Sequence, residues 1–189
     1  MYYPAFLDLR GKRVLLFGAG QVALRKAKVL IGAGANLTAV SREFSAPFLK
    51  WAKHNRIKLI RGTKIPNLAN VWLVVAATSD SQFNHRLYTE CERKKIFVNA
   101  VDDPKHCSFI VPSVVRRGKL QLAVSTGGAS PSLAKIVRKK LEKQFGPEYA
   151  RLLKQMAKIR TEAKKKIAFK DRKNYFKKQI ISRLKALSR

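Results

Sequence analysis

The feature that most limits how this chain can fold is a strand-length segment, Arg13–Phe17, apolar from Val14 on, that empties into Gly18-Ala19-Gly20-Gln21-Val22-Ala23. Residues 21–31 follow, with Val22, Ala23, Ala27, Leu30 and Ile31 at helical spacing. Strand, glycine turn and helix in that order fit the G-x-G-x-x-G/A fingerprint of a dinucleotide-binding βαβ unit. Each small residue has a chemical reason. Gly18 permits the tight turn, Gly20 lets backbone approach a pyrophosphate, and Ala23 keeps the helix near the sheet. The helix N-terminus adds free N–H groups and the positive end of its dipole. A glycine-rich turn that binds nothing has the same letters, but the flanking strand and helix favour the phosphate site.

The alternation continues through residue 112. Strand signals fall at 36–40, 57–61, 71–77, 96–99 and 109–111, and helix signals at 46–54 and 83–94. Segment 71–77 is apolar and β-branched, as in a strand buried on both faces. Strands spaced by helices predict a parallel sheet. Beyond it, Leu120–Val124 is a strand candidate and Ser125-Thr126-Gly127-Gly128 a turn. Ser130-Pro131 has the form of an N-cap with proline at the first helical position. The helix it opens carries Leu133, Ile136, Val137, Leu141 and Phe145 on one stripe and stops near Gly146-Pro147. Another helix starts near Tyr149, and a last one covers 175–187. The expected fold class is α/β. A Rossmann-type parallel sheet occupies 1–112, a small segment 113–148, and a basic helical domain 149–189.

Hydrophobic residues make up 46 % of the 189, a globular composition. The apolar runs are too short to span a bilayer, and Met1-Tyr2-Tyr3-Pro4 has neither the basic nor the apolar region of a signal peptide. Cys91 and Cys107 form neither a disulfide framework nor a zinc motif. Both read as small apolar side chains in a cytoplasmic protein. The charge is unusual, at +30. Residues 135–189 hold 20 Lys and Arg against 4 Asp and Glu. Such a field attracts nucleic acid, anionic lipid or a small polycarboxylate, and charge alone does not choose among them.

Three further places could carry chemistry. Arg42 and Glu43 follow the second strand. An acid there would hold the ribose hydroxyls of NAD and an arginine the 2′-phosphate of NADP, so the motif leaves both cofactors open. Asp102 lies in Asn99-Ala100-Val101-Asp102-Asp103-Pro104, after a strand whose carboxyl end faces the ligand crevice of an open parallel sheet. It could act as a general base, although the residues alone favour an Asx-Pro turn. His54 and His85 fall in helical segments with ordinary surroundings. His106, beside Cys107, is a candidate acid, base or iron ligand. No spacing marks a metal site, and none is expected.

The blocks 18–26, 32–35 and 37–40, then Ala76-Ala77-Thr78-Ser79-Asp80, 97–104, 107–113 and 124–131, occur in order. Together they resemble the precorrin-2 dehydrogenases, which include the N-terminal half of sirohaem synthases. The resemblance implies an NAD-dependent homodimer that oxidises a tetrapyrrole, precorrin-2, to sirohydrochlorin. It makes 113–148 a dimerisation segment and places the catalytic aspartate on Asp102, which reverses the preference for a mere turn. It assigns cofactor contacts to Gly18, Gly20, Gln21, Val22, Arg42, Glu43 and Thr78. Substrate contacts fall to Asn99, Ser125, Thr126, Gly127 and Gly128. Thr126 matches a position that is often serine in sirohaem synthases, where phosphorylation has been proposed. Some relatives also insert ferrous iron into sirohydrochlorin, and no residue here decides that point. Long relatives continue into a methyltransferase domain. This sequence stops at Arg189, so that step is not expected of it. A basic protein also suits a polycarboxylate substrate.

Two rivals stand beside this reading. A non-catalytic NAD-sensing or RNA-binding protein would explain the basic tail. That tail offers few aromatics (Phe145, Tyr149, Phe169, Tyr175, Phe176) and no groove-reading motif, so nucleic acid is disfavoured though the charge permits it. A Rossmann dehydrogenase for a small acid would leave 125–131 and the C-terminal helices unexplained.

Overall fold

The computed structural model describes residues 2–187; Met1, Ser188 and Arg189 lie outside the described residues. Strands β1 (Arg13–Phe17), β2 (Asn36–Ser41), β3 (Lys58–Arg61), β4 (Val71–Ala76) and β5 (Phe97–Ala100) form a parallel sheet in the order β3-β2-β1-β4-β5. Helices α1 (Gln21–Gly32), α2 (Ala46–His54) and α3 (Ser81–Arg93) cover it. Successive side chains of a strand point to opposite faces, so Val14–Phe17 of β1 must be apolar to be buried on both. Val14 and Leu16 pack with Ala23, Ala27 and Leu30 of α1 and Phe48 of α2. Leu15 and Phe17 pack with Phe83, Leu87 and Cys91 of α3. Each large side chain so buried contributes roughly 1.5–3 kcal/mol. After β3 the chain crosses to the other side of β1, which makes the β1/β4 boundary the topological switch point, where open sheets of this kind bind ligands.

Helix α3 starts at Ser81, two residues before the expected start at 83. Asp80 caps it, its Oδ1 accepting the Phe83 N–H at 2.9 Å. The strand expected at 109–111 is absent. Backbone pairing with β5 is limited to Cys107, in an isolated bridge to Asn99, and to Ser108, whose N–H donates to the Val98 oxygen at 2.8 Å. Pro112 then follows, and its missing N–H could not extend a ladder.

The chain divides into two compact units, residues 1–111 and 112–189. In the second, β6 (Ser113–Arg117) pairs antiparallel with β7 (Leu120–Val124). The sequence reading missed β6, because the strand is only partly buried and its last two residues are arginines. Helix α4 (Pro131–Gln144) follows the hairpin. Arg117 holds its far end, donating through Nε to the Phe145 oxygen at 2.8 Å and through Nη2 to the Glu142 oxygen at 2.9 Å. Helices α5 (Glu148–Lys166) and α6 (Phe169–Leu187) complete the unit. The last helix begins at Phe169, earlier than the expected 175. Arg172 donates to the Lys164 and Ile167 oxygens at 2.8 and 2.9 Å, so the end of α5 is satisfied and the chain turns at once into α6. Among the described residues, no helix is long and apolar enough to cross a membrane.

Candidate active site

Phe17, Val40 and Ala76 stand level across β1, β2 and β4, so the loops after them open at one edge of the sheet. The glycine turn is fastened between its neighbours. Gly18 N–H donates to the Val40 oxygen at 2.9 Å, and Ala77 N–H to the Phe17 oxygen at 2.8 Å. Ser45 Oγ donates to the Ala19 oxygen at 2.8 Å, which ties the loop after β2 to the turn. Gly20 is the N-cap of α1, with no side-chain cap and no acid in the first turn. A Cβ on Gly20 would meet nothing within 4 Å. Free N–H groups at a positive dipole end, beside a surface clear of side chains, fit the pyrophosphate of a dinucleotide. Gln21 and Val22 are exposed at this mouth.

Arg42 and Glu43 leave the end of β2, both exposed, with Ser41 Oγ donating to the Glu43 backbone oxygen at 2.6 Å. Among the described residues neither joins an ion pair. A guanidinium and a carboxylate therefore stand side by side where the adenosine ribose of a dinucleotide lies in this fold.

A cavity of about 460 Å³ opens beside the turn. Val22 of α1 forms one wall, Thr78 and Asn84 a second, and Asp102 and Asp103 a third. Thr78 Oγ1 donates to Asn84 Oδ1 at 2.7 Å, and Asn84 Nδ2 returns a bond to the Thr78 backbone oxygen at 3.3 Å. The hydroxyl proton of Thr78 is thus committed, and its oxygen keeps lone pairs for a ligand. Asp102 adopts a left-handed backbone, φ +61°, a conformation that costs a residue with a side chain on the order of 1–3 kcal/mol. Its carboxylate is exposed and makes no hydrogen bond among the described residues. Half-buried Lys26 feels both Asp102 and Cys107. Burial pushes its ammonium down, Arg25 adds to that, and the Asp102 carboxylate opposes it.

Asn99 faces inward. It is 7 % exposed, and its Nδ2 donates to the Phe109 oxygen at 3.0 Å and to Cys107 Sγ at 3.4 Å. Cys107 Sγ donates in turn to the Ala100 and Asp103 oxygens at 3.1 and 3.2 Å. Burial is the main effect on this thiol and raises it, so it stays protonated and knits the 100–109 loop. It does more than the apolar packing expected of it. His85 is likewise less ordinary than its sequence surroundings suggest. Its Nδ1 lies 2.9 Å from His106 Nε2, and His106 Nδ1 lies 2.6 Å from Asp103 Oδ2.

Lys26, Asn84 and the joining of Asp103, His106 and His85 into one line were not read from the sequence, although His106 by itself was a candidate acid, base or iron ligand. Lys26 stands four residues after Val22, one helical turn along the same face, which is a signal the sequence does carry. His85 and His106 are 21 positions apart, and nothing local links them.

The other expected residues belong to the second unit. After β7, Gly127 N–H donates to Ser125 Oγ and Ser130 N–H to Thr126 Oγ1, each at 3.0 Å. Gly127 and Gly128 are both left-handed, with φ +63° and +93°. Ser130 Oγ accepts the Leu133 N–H at 3.2 Å and caps α4. The turn is therefore a preformed loop of hydroxyls and bare backbone. Among the described residues no group of three His, Cys, Asp or Glu is placed to hold a metal ion.

Residues 5–113 match a family described as NAD(P)-binding, and residues 117–144 one described as sirohaem biosynthesis protein, central. The siroheme synthase 2 of Yersinia enterocolitica is 38 % identical over 181 residues, covering 95 % of this chain and 38 % of that protein. A siroheme synthase of Yersinia pestis is 44 % identical over 142 residues, 75 % of this chain and 30 % of that protein. The chain thus spans well under half the length of these curated relatives. Among solved structures, SirC, a precorrin-2 dehydrogenase, superposes with a TM-score of 0.76 at 28 % identity, over 92 % of this chain and 86 % of that one.

Proposed function

We propose that this chain, which belongs to the NAD(P)-binding family matched over residues 5–113, oxidises precorrin-2 to sirohydrochlorin with NAD in sirohaem biosynthesis. The observation that carries the reading is Asp102: an unpartnered carboxylate on a strained turn, in the wall of a cavity beside a dinucleotide turn. Bound NAD supplies the hydride acceptor. Gly18, Gly20, Gln21 and Val22 hold its pyrophosphate, and Arg42 and Glu43 its ribose end. Glu43 can take ribose hydroxyls, which favours NAD over NADP. Thr78 borders the cavity from the β4 side. Asp102 accepts the proton that the substrate loses, as a general base. Asn99 acts indirectly by holding the 107–109 segment in place. The Ser125–Gly128 turn contacts the tetrapyrrole through hydroxyls and backbone N–H groups.

The remaining parts of the reading concern assembly and setting. The protein works as a homodimer joined through 113–148. In support, α4 leaves Leu133 and Ile136 51 % and 54 % exposed. A cytoplasmic setting accords with two free cysteines.

The test is anaerobic incubation of the purified chain with precorrin-2 and NAD, following NADH and sirohydrochlorin absorbance. Wild type should turn over, and Asp102→Ala should fold normally yet lose roughly 10²–10⁴-fold in kcat, the usual contribution of a general base. A folded Asp102→Ala with full turnover would sink its role. Repeating the assay with ferrous iron tests whether the product is also metallated.

A further inference from the structure

We propose that Asp103, His106 and His85 form a proton exit that carries the proton of dehydrogenation from the cavity to solvent. The proposal rests on the dehydrogenase reading and adds the route by which its acid product leaves. Asp103 lines the cavity next to Asp102. Its Oδ2 lies 2.6 Å from His106 Nδ1, and the opposite nitrogen of that ring lies 2.9 Å from His85 Nδ1. His106 is half-buried and His85 is exposed on α3. Three proton-carrying groups therefore run unbroken from the cavity wall to bulk water. The line is held in place. His106 N–H donates to the Asp103 backbone oxygen at 3.1 Å, in a single 3₁₀ turn, Pro104–His106. The His106 ring is flanked by His85 and Tyr88, with centroids 4.9 and 5.4 Å away, both edge-on. Imidazole can accept a proton on one nitrogen and release another from its far side.

The balance is simple. Dehydrogenation breaks two bonds to hydrogen in the substrate. One hydrogen leaves with its electron pair as hydride to the nicotinamide. The other leaves as a proton, and its bonding pair becomes the new double bond. Asp102 takes that proton and yields it through cavity water to Asp103. With His106 and His85 each carrying the ring proton on Nε2, protonated Asp103 donates from Oδ2 to the bare His106 Nδ1, His106 passes its Nε2 proton to His85 Nδ1, and His85 releases its Nε2 proton to water. One proton enters, one leaves, and no electrons move along the line. Exchange with solvent then resets the tautomers.

The experiment uses the full chain with precorrin-2 and NAD in weakly buffered solution. His106→Ala should lower kcat by about tenfold, less than loss of the base itself, with both KM values unchanged. Added imidazole should restore the rate, and His85→Ala should slow turnover in the same direction. His106→Gln keeps a hydrogen bond to Asp103 but cannot relay, so it should stay slow. Wild-type turnover with an unimpaired His106→Ala would overturn the exit alone. So would full activity in His106→Gln, or indifference of His106→Ala to imidazole. No turnover by the folded wild type would overturn the dehydrogenase reading and the exit with it.

Discussion

At Gly18 the backbone has φ +96°, and a Cβ would run into the carbonyl group of Ala77, whose carbon would lie 2.9 Å away. The first condition asks for a residue without a side chain, and so does the second. Gly18→Ala should therefore cost about 2–4 kcal/mol, from left-handed strain and overpacking together. The urea midpoint measures this, and a loss under 1 kcal/mol would show that the turn yields easily. Asp102 was legible from the sequence as a carboxylate at a strand end, but its left-handed backbone was not. That torsion follows from neighbours, since the Val101 N–H donates to the Ala76 oxygen at 2.8 Å on the adjoining strand. Asn99 shows the same limit from the other side. Its position in the strand was plain, and its inward commitment depends on a loop ten residues on.

Helix α3 shows what element packing does to a titrating group. Its Phe83, Leu87 and Cys91 stripe lies against the sheet, and burial pushes the Cys91 thiol up to about 12, with Glu90 and Glu92 adding to the shift. An unfolded chain would ionise this thiol near 9.0. Below pH 9 both states hold the proton, and pH has no effect through this group. From 9 toward 12 the unfolded state loses its proton while the folded state keeps it, so stability falls as pH rises. Cys91→Ala should cost about 1 kcal/mol at neutral pH. The advantage of wild type over that variant, read from urea midpoints, should be flat to pH 9 and shrink above it. An unchanged difference at pH 11 would mean that the thiol is not shielded. At this scale the sequence was most reliable where signals are local, as in β1, the glycine turn and α1. It failed for β6 and for 109–111. A partly exposed hairpin strand has weak periodicity, and a strand exists only where a partner supplies its ladder.

Over the whole chain the +30 charge is the dominant physical property. For a polycarboxylate substrate it acts through steering and is screened by salt, as the Debye length falls from ~10 Å at 0.1 M to ~3 Å at 1 M. Raising salt across that range should raise KM for precorrin-2 several-fold and move KM for NAD much less. A KM for precorrin-2 that is flat with salt would remove steering from the account. The fold class, the dinucleotide turn and the place of Asp102 at a strand end were set by the sequence alone, because strand–turn–helix order, glycine placement and apolar periodicity are properties of neighbouring residues. Only the tertiary structure decided that Asn99 turns inward, that the backbone of 107–108 and not of 109–111 pairs with β5, and that His85 meets His106. Each of those outcomes depends on which distant segments the sheet brings within hydrogen-bonding distance, and side-chain order along a chain does not encode that distance locally.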